Sequence, residues 1–269
     1  MNIGFIGTGS MGSILIESFI QTGALSPEVI IASNRTSGKI DRLAEQFNGL
    51  VKANSNIEVV QLSQVIFLCI KPSEFKNVIS EIQPYVKPSH IIISITSPIT
   101  IAFLEDQLSS KIAKIIPSIT NYVMSGPTLC IFGERMLQED ILQIENLMSF
   151  ISEPIRVSEK FTRISSDISS CGPAFFSLIL LKFIRAAVDE TGIPYSDANR
   201  LACEMLLGTG KLLTTGGFTP GELQKRVSVP GGITAEGLKL LDLKLDGVFN
   251  QLIHITHAKF EEDMAKVNG

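Results

Sequence analysis

Two short stretches of this chain combine residue types with a spacing that could do chemistry. The first is Gly7, Thr8, Gly9, Ser10, Met11 and Gly12, a GxGxxG placed directly after a β-branched run and opening a helical pattern, the context in which those glycines have a mechanism. Gly7 allows a tight turn, Gly9 lets a pyrophosphate approach backbone N–H groups, and Gly12 lets the helix pack close to the strand. The motif predicts a dinucleotide, with a glycine turn that binds nothing as the competing reading. The end of the second strand selects which dinucleotide. A site for a plain ribose puts Asp or Glu about 20 residues beyond the loop, but here the residues are Ala32, Ser33, Asn34, Arg35 and Thr36. Two small hydrogen-bonding side chains and a guanidinium suit a 2′-phosphate, so NADP is favoured over NAD. The alternative for Arg35 is an ordinary solvated charge at a strand end.

The second stretch is Val229, Pro230, Gly231, Gly232, Ile233 and Thr234, between a helix predicted to begin near Thr219 and another predicted to begin near Thr234. Two glycines before a helix N-terminus present N–H groups able to hold a carboxylate, and the Thr234 hydroxyl can both donate and accept. A Pro-Gly-Gly turn capped by Thr is the plainer reading. His90, His254 and His257 form no HxxxH or HExxH pattern; the last two are expected at the surface or in packing. Cys69, Cys130, Cys171 and Cys203 form no CxxC and are expected to be reduced, as in a cytoplasmic protein.

The elements that must position these residues change character along the chain. Strands are predicted at 2–7, 29–33, 65–70, 91–95 and 112–116, with helices at 11–22, 37–47 and 139–151 between them, the alternation of a mostly parallel sheet covered by helices. Beyond about residue 157 the strand-like runs give way to helices punctuated by Gly and Pro. The fold class expected is α/β, with an NADP-binding Rossmann domain over 1–157 and an all-helical dimerisation and substrate domain over 158–269. The longest helix should follow Gly172 and Pro173 and run to Gly192. Its stripe Phe175, Ile179, Phe183, Ala187 is expected to pack in a core. Yet the apolar surface along 175–187 and 201–213 exceeds what a bundle of roughly 110 residues needs alone, which predicts an obligate dimer.

Composition sets the outer limits. The 269 residues are 45% hydrophobic and 19% charged, with a net charge of −4, which excludes a disordered chain and gives no nucleic-acid footprint. The opening MNIGFIGTG lacks the basic and apolar regions of a signal peptide, so it is expected to belong to the fold. The apolar stretches at 91–104 and 175–181 fall short of the ~18 residues that span a bilayer, so no membrane is expected.

Taken in order, the motifs resemble those of the pyrroline-5-carboxylate reductase family. IGFIGTGSMG resembles its glycine loop, Cys69-Ile70-Lys71-Pro72 its strand ending in VKP, Cys171-Gly172-Pro173-Ala174-Phe175 its GSGPAY helix start, and Val229 to Thr234 its SPGGTT loop. The likeness covers essentially the whole chain. It implies a helical domain interlaced with a partner into a homodimer or a higher oligomer of dimers, and an NADPH-dependent oxidoreductase that reduces the C=N bond of 1-pyrroline-5-carboxylate to L-proline. By the family pattern, Asn56 would contact the cofactor ribose and Lys71 and Pro72 would line the nicotinamide end. Pro230, Gly231, Gly232, Ile233 and Thr234 would grip the substrate carboxylate, with Thr234 hydrogen-bonded to the imine nitrogen.

Four stretches depart from the family: Thr96-Ser97-Pro98, Ser118 to Asn121, Ser170-Cys171 and Val229, all expected to face the nicotinamide and substrate pocket. Together with RVSVPGGITAEGL they resemble the late-competence branch of the family, which leaves an NADP-binding protein with diverged or no catalysis as the alternative. A β-hydroxyacid dehydrogenase, the third reading, would carry a catalytic Lys one turn past a glycine-spaced helix, where this chain has bulky residues.

Overall fold

The computed structural model describes residues 1–268. The first compact unit alternates β1 (Ile3–Ile6), α1 (Ser10–Gln21), β2 (Ile30–Ser33), α2 (Ser37–Gln46), β3 (Val51–Lys52), α3 (Asn56–Leu62), β4 (Val65–Leu68), α4 (Phe75–Ile82), β5 (Ile91–Ser94), α5 (Ile101–Gln107) and β6 (Lys111–Ile116). β7 (Pro127–Phe132), α6 (Gln138–Ser149), β8 (Glu153–Arg156) and α7 (Thr162–Ser166) complete its contiguous part. The sheet order is β3-β2-β1-β4-β5-β6-β7-β8, parallel except where β7 runs against β6.

Strands covered on both faces need no polar alternation, and IGFI, VIFL and IIIS are buried at every position. On one face α1, α2 and α6 set Phe19, Leu43 and Met148 into a core with Phe5 and Phe67, whose rings stack at 5.0 Å. On the other, Val59 of α3, Ile79 of α4 and Leu104 of α5 pack with Ile6, Ile66 and Leu68.

Three strands escaped the sequence reading, each for a physical reason. β3 is two residues long and exposed. β8 contains Pro154 and lies at the sheet edge, where a residue without a donor is tolerated. β7 opens on Pro127 with only the 3-10 turn Ile119–Val123 between it and β6 and no α-helix, so the alternation that marks parallel strands is missing.

Compact units divide the described chain differently from the expected boundary at 157/158. One holds Met1–Pro173 with the chain from Thr256 onward, and the other is Ala174–Ile255. Hydrogen bonds tie the segment after 157 to the first unit: Ser118 Oγ donates to the Ser169 carbonyl at 2.9 Å, and Ser170 Oγ to the Pro117 carbonyl at 3.1 Å. That segment includes a π-helical turn, Asp167–Cys171, leading into α8 (Gly172–Thr191). The continuous helix Glu159–Thr191 has 33 residues and a window of mean hydropathy 1.6. By length and composition alone it could cross a membrane, which corrects the expectation that no run is long enough.

The second unit takes in most of α8, then α9 (Tyr195–Thr214), α10 (Pro220–Val227), α11 (Ile233–Leu245) and the start of α12 (Val248–Asn268). Its core is formed by Leu180, Ile184 and Val188 with Ile193, Ala198 and Ala202. The stripe expected to pack is a different one, and the structure corrects it: Phe183 is 66% exposed and Ile179 44%. The row one position along, 180–184–188, is the one that meets α9.

A deeply buried lysine marks the first unit. Lys114 of β6 is 1% exposed, and its Nζ lies 3.2 Å from Glu159 Oε1. The same oxygen accepts the Ile101 N–H at 2.9 Å, where α5 begins. Burial pulls the Lys114 ammonium below the usual lysine range, and Glu159 opposes that shift. Removing Glu159 leaves a buried ammonium unpaired, whereas replacing Lys114 by an apolar chain leaves a carboxylate that is one-third exposed to water. Glu159→Ala is therefore expected to lose roughly 2–4 kcal/mol in urea unfolding, and Lys114→Met less than about 1 kcal/mol. Because the unfolded lysine binds its proton up to about pH 10.4 while the folded one releases it earlier, stability rises with pH through that window. The Glu159→Ala deficit should shrink there, and equal losses for the two variants would contradict the account.

Candidate functional site

The strand order reverses direction of growth at β1, which has β2 on one side and β4 on the other. Ligands of open parallel sheets bind at the carboxyl ends of strands at such a point. The loop after β1 opens there onto a cavity of about 640 Å³. Each glycine of the loop has its own reason. Gly7 has φ +98°, and a Cβ there would lie 2.5 Å from the Cys69 carbonyl oxygen. A Cβ on Gly12 would lie 2.3 Å from the Gly7 carbonyl oxygen, so α1 can sit this close only without a side chain. Gly9 would meet nothing within 4 Å and lines the cavity. It is the N-cap of α1 and no side chain caps that helix, which leaves first-turn N–H groups to face an anion.

Of the residues singled out by sequence, Gly7, Gly9, Ser33, Asn34, Arg35, Asn56 and Lys71 line this cavity. The others support it from behind or beside. Thr8 is buried and donates its N–H to Asn34 Oδ1 at 3.0 Å; Ser10 and Met11 form the first turn of α1; Pro72 opens a 3-10 turn after Lys71. Asn34 also donates Nδ2 to the Thr36 carbonyl at 2.8 Å, so its amide braces the turn. Ser33 Oγ donates to Asn56 Oδ1 at 2.7 Å, and Asn56 Nδ2 donates to Glu81 Oε2 at 2.8 Å. That relay fixes which way the Asn56 amide faces.

Sequence reasoning missed Lys39, Glu74 and Glu81, all of which line the cavity. Lys39, in the first turn of α2, could have been found from its place just past Arg35. The carboxylates could not, because they come from the segment after β4. Strand two ends without an acid, yet the cavity has two. Arg35 is held by one of them, with Nη1 3.1 Å from Glu74 Oε1 and its side chain 84% exposed. Cys69 also lines the cavity, and burial pushes its thiol pKa well up. A glycine cradle beside two cations, Arg35 and Lys39, fits a dinucleotide carrying a 2′-phosphate.

In the second unit, Gly231 takes φ +73° and Gly232 donates its N–H to the Val229 carbonyl at 2.9 Å. Gly232, not Thr234, is the N-cap of α11, which corrects the reading of Thr234 as a cap and leaves its hydroxyl outside that role. Pro230, Ile233 and Thr234 are exposed. The departures expected to face a pocket turn out differently where they are buried. Ser118 and Asn121 are 0% exposed; the Ser118 N–H donates to Asn121 Oδ1 at 2.8 Å, and Asn121 Nδ2 donates to the Ser125 carbonyl at 3.0 Å. Thr96 Oγ1 donates to the Ile70 carbonyl at 3.0 Å. These polar atoms hold backbone. His254 is exposed as expected, but His257 lies 3.7 Å from Asp167, a buried carboxylate that also accepts from Arg163 and Thr256.

A glycine loop at the switch point of a parallel sheet, followed by a helical unit, defines a dinucleotide-dependent oxidoreductase of the Rossmann class. Residues 2–98 match the family described as NADP oxidoreductase, coenzyme F420-dependent, and residues 159–263 match the pyrroline-5-carboxylate reductase dimerisation domain. The chain is 41% identical to ComE operon protein 4 of Bacillus subtilis over 99% of its length and 98% of that protein's. It is 32% identical to pyrroline-5-carboxylate reductase 2 of Bos taurus, covering 94% and 79% of the two. The fold matches Plasmodium falciparum pyrroline carboxylate reductase with NADP bound at a TM-score of 0.84 and 23% identity, over 99% and 98% of the chains. The chain belongs to the pyrroline-5-carboxylate reductase family, whose members are NAD(P)-dependent oxidoreductases.

The contrast between two loop glycines provides a direct check. Gly9→Ala meets no atom in the protein and should leave the melting temperature within about 2 °C while weakening NADPH binding at least roughly tenfold. Gly12→Ala must push α1 off the Gly7 carbonyl and should lower the melting temperature by several degrees, on the order of 2–4 °C per kcal/mol lost. Calorimetry with fluorescence titration of NADPH measures both, and a Gly9→Ala protein that binds normally would refute the close approach of the dinucleotide to Gly9.

Proposed function

We propose that the protein reduces the C=N bond of 1-pyrroline-5-carboxylate, giving L-proline, with NADPH as donor. The observation that carries the reading is the 640 Å³ cavity at the β1/β4 switch, with its glycine cradle and its Arg35 and Lys39 cations, in a chain related over nearly all its length to reductases of that substrate. The N–H groups at Gly9, Ser10, Met11 and Gly12 would hold the pyrophosphate, with Gly7 and Thr8 shaping the turn. Ser33, Asn34 and Arg35 would face the 2′-phosphate, Asn56 the ribose, and Lys71 and Pro72 the nicotinamide end. Bound there, NADPH supplies the hydride that the imine carbon accepts.

In the second unit, the N–H groups of Gly231 and Gly232, in the loop from Pro230 through Ile233, would orient the substrate carboxylate. The Thr234 hydroxyl would hold the imine nitrogen, which can arrive protonated from solvent. Reduction then needs positioning more than acid–base chemistry. Val229 stands where the family has Ser and offers no hydroxyl, which points to weaker hold on the carboxylate. We further propose a homodimer through the helical unit, a boundary of the sequence domains near 157/158, beside the start of the dimerisation-domain match at residue 159 and distinct from the division into compact units after Pro173, and a cytoplasmic location, which suits four free cysteines. The net charge of −4 argues against a nucleic-acid partner, and the apolar α8 is better read as an interface than as a membrane span.

A second reading is favoured by the 41% identity to ComE operon protein 4, above the 32% to the Bos taurus reductase. On it, the chain binds NADP in a competence-related role with diverged or absent catalysis. Purified protein with NADPH and 1-pyrroline-5-carboxylate, followed at the nicotinamide absorbance, should show turnover. Thr234→Val should lower kcat about 10- to 1000-fold, and Val229→Ser should lower KM. No turnover from either protein, with NADPH still bound, would favour the second reading. Sedimentation should show a dimer at micromolar concentration, and Phe183→Glu should dissociate it; an active monomer would refute the assembly.

A further inference from the structure

We infer that Glu74 is a specificity-determining residue that lowers the preference for a 2′-phosphorylated dinucleotide by competing for Arg35. The inference rests on the reading of this cavity as the dinucleotide site and extends it to a residue outside the glycine loop and outside strand two. Arg35 leaves the end of β2 and Glu74 ends the 3-10 turn Pro72–Glu74 after β4. Their 3.1 Å pair therefore spans from one side of the cavity to the other, and both residues line it. The two side chains are 84% and 37% exposed, so the pair is weak and exchangeable. The other charged residues lining the cavity are Lys39, Lys71 and Glu81, the last engaged by Asn56.

A phosphate carries between one and two negative charges near neutral pH. To meet Arg35 it must take the guanidinium from Glu74 and then stand beside that carboxylate, whereas a ribose hydroxyl can bind with the pair intact. Glu74 thus acts against NADPH and leaves NADH unaffected by that exchange. Strand two alone, without an acid, predicts a one-sided preference for NADP; the acid reaching the site from β4 moderates it. The opposite effect would arise if Glu74 chiefly held Arg35 in place for the phosphate, and the two are separable by sign.

The test is the ratio of dissociation constants, NADH over NADPH, from fluorescence titration of the unmodified protein, Glu74→Gln, Arg35→Ala and the double variant. Glu74→Gln should raise the ratio roughly 3- to 10-fold, with the gain falling as salt rises. Arg35→Ala should lower it, and adding Glu74→Gln to Arg35→Ala should recover little, since the contested group is gone. An unchanged or lowered ratio in Glu74→Gln, with a normal melting temperature, overturns the inference. Failure of the unmodified protein to bind either nucleotide would instead overturn the cofactor reading on which it rests.

Discussion

Backbone lies directly on backbone where β1 passes into α1, and much else depends on that contact. The Gly7 carbonyl approaches Gly12 so closely that a Cβ would intrude to 2.3 Å, while Gly7 itself turns with φ +98° beneath the Cys69 carbonyl. Three consecutive features of the cavity follow. The helix begins over the junction of β1 and β4, its first-turn N–H groups carry no side-chain cap, and β4 delivers Cys69, Ile70 and Lys71 to the same cavity. The ladder continues the constraint: Gly7 donates its N–H to the Ser33 carbonyl at 2.9 Å, and Cys69 to the Ile6 carbonyl at 2.8 Å. The loop is thus fastened to the strand on each side.

The polar groups around this junction divide by task. Ser33 and Asn34 use their side chains on Asn56 and on the Thr8 N–H, so residues that sequence suggests as ligand contacts also shape the wall that a ligand meets. Buried polar atoms must find partners to avoid a desolvation penalty, and in the segment after β6 Ser118 and Asn121 meet that demand internally, while Thr120 Oγ1 has no partner among the described residues. Ser118, Asn121, Ser169 and Ser170 form bonds that link the loop after β6 to the π-helical turn. A π turn gives up regular helical pairing, and here its Ser169 carbonyl accepts from the Ser118 hydroxyl. At these positions the side chains bond backbone within the first unit.

What could be read from sequence follows from how local each signal is. The glycine loop, the apolar strands and the helices over 11–22 and 139–151 are set by residues next to one another, and the structure has them within a few positions. β7 and β8 were hidden because pairing against or beyond β6 gives no local pattern and because Pro127 and Pro154 mask them. In the site, Arg35 was visible at the end of a strand, but its partner Glu74 lies 39 residues away. No spacing rule links them; only the parallel register of β2, β1 and β4 brings their ends together. The same holds for Glu81 and for the Lys114–Glu159 pair, each made by topology.

The α8 stripe shows how a correct periodicity can be assigned to the wrong neighbour. Positions 175, 179, 183 and 187 and positions 180, 184 and 188 both recur at helical spacing, so sequence cannot say which row meets α9. The structure gives that place to the second row, together with the small Ala198 and Ala202 of the facing helix, which allow close approach. The larger Phe183 stays exposed, as do Leu201, Leu207 and Leu243, an amount of apolar surface that a lone soluble chain seldom shows. The core of this unit is correspondingly small, and the unit matches a dimerisation domain. With its helices completing their burial against a second copy, as proposed, the stability of that unit would depend on protein concentration.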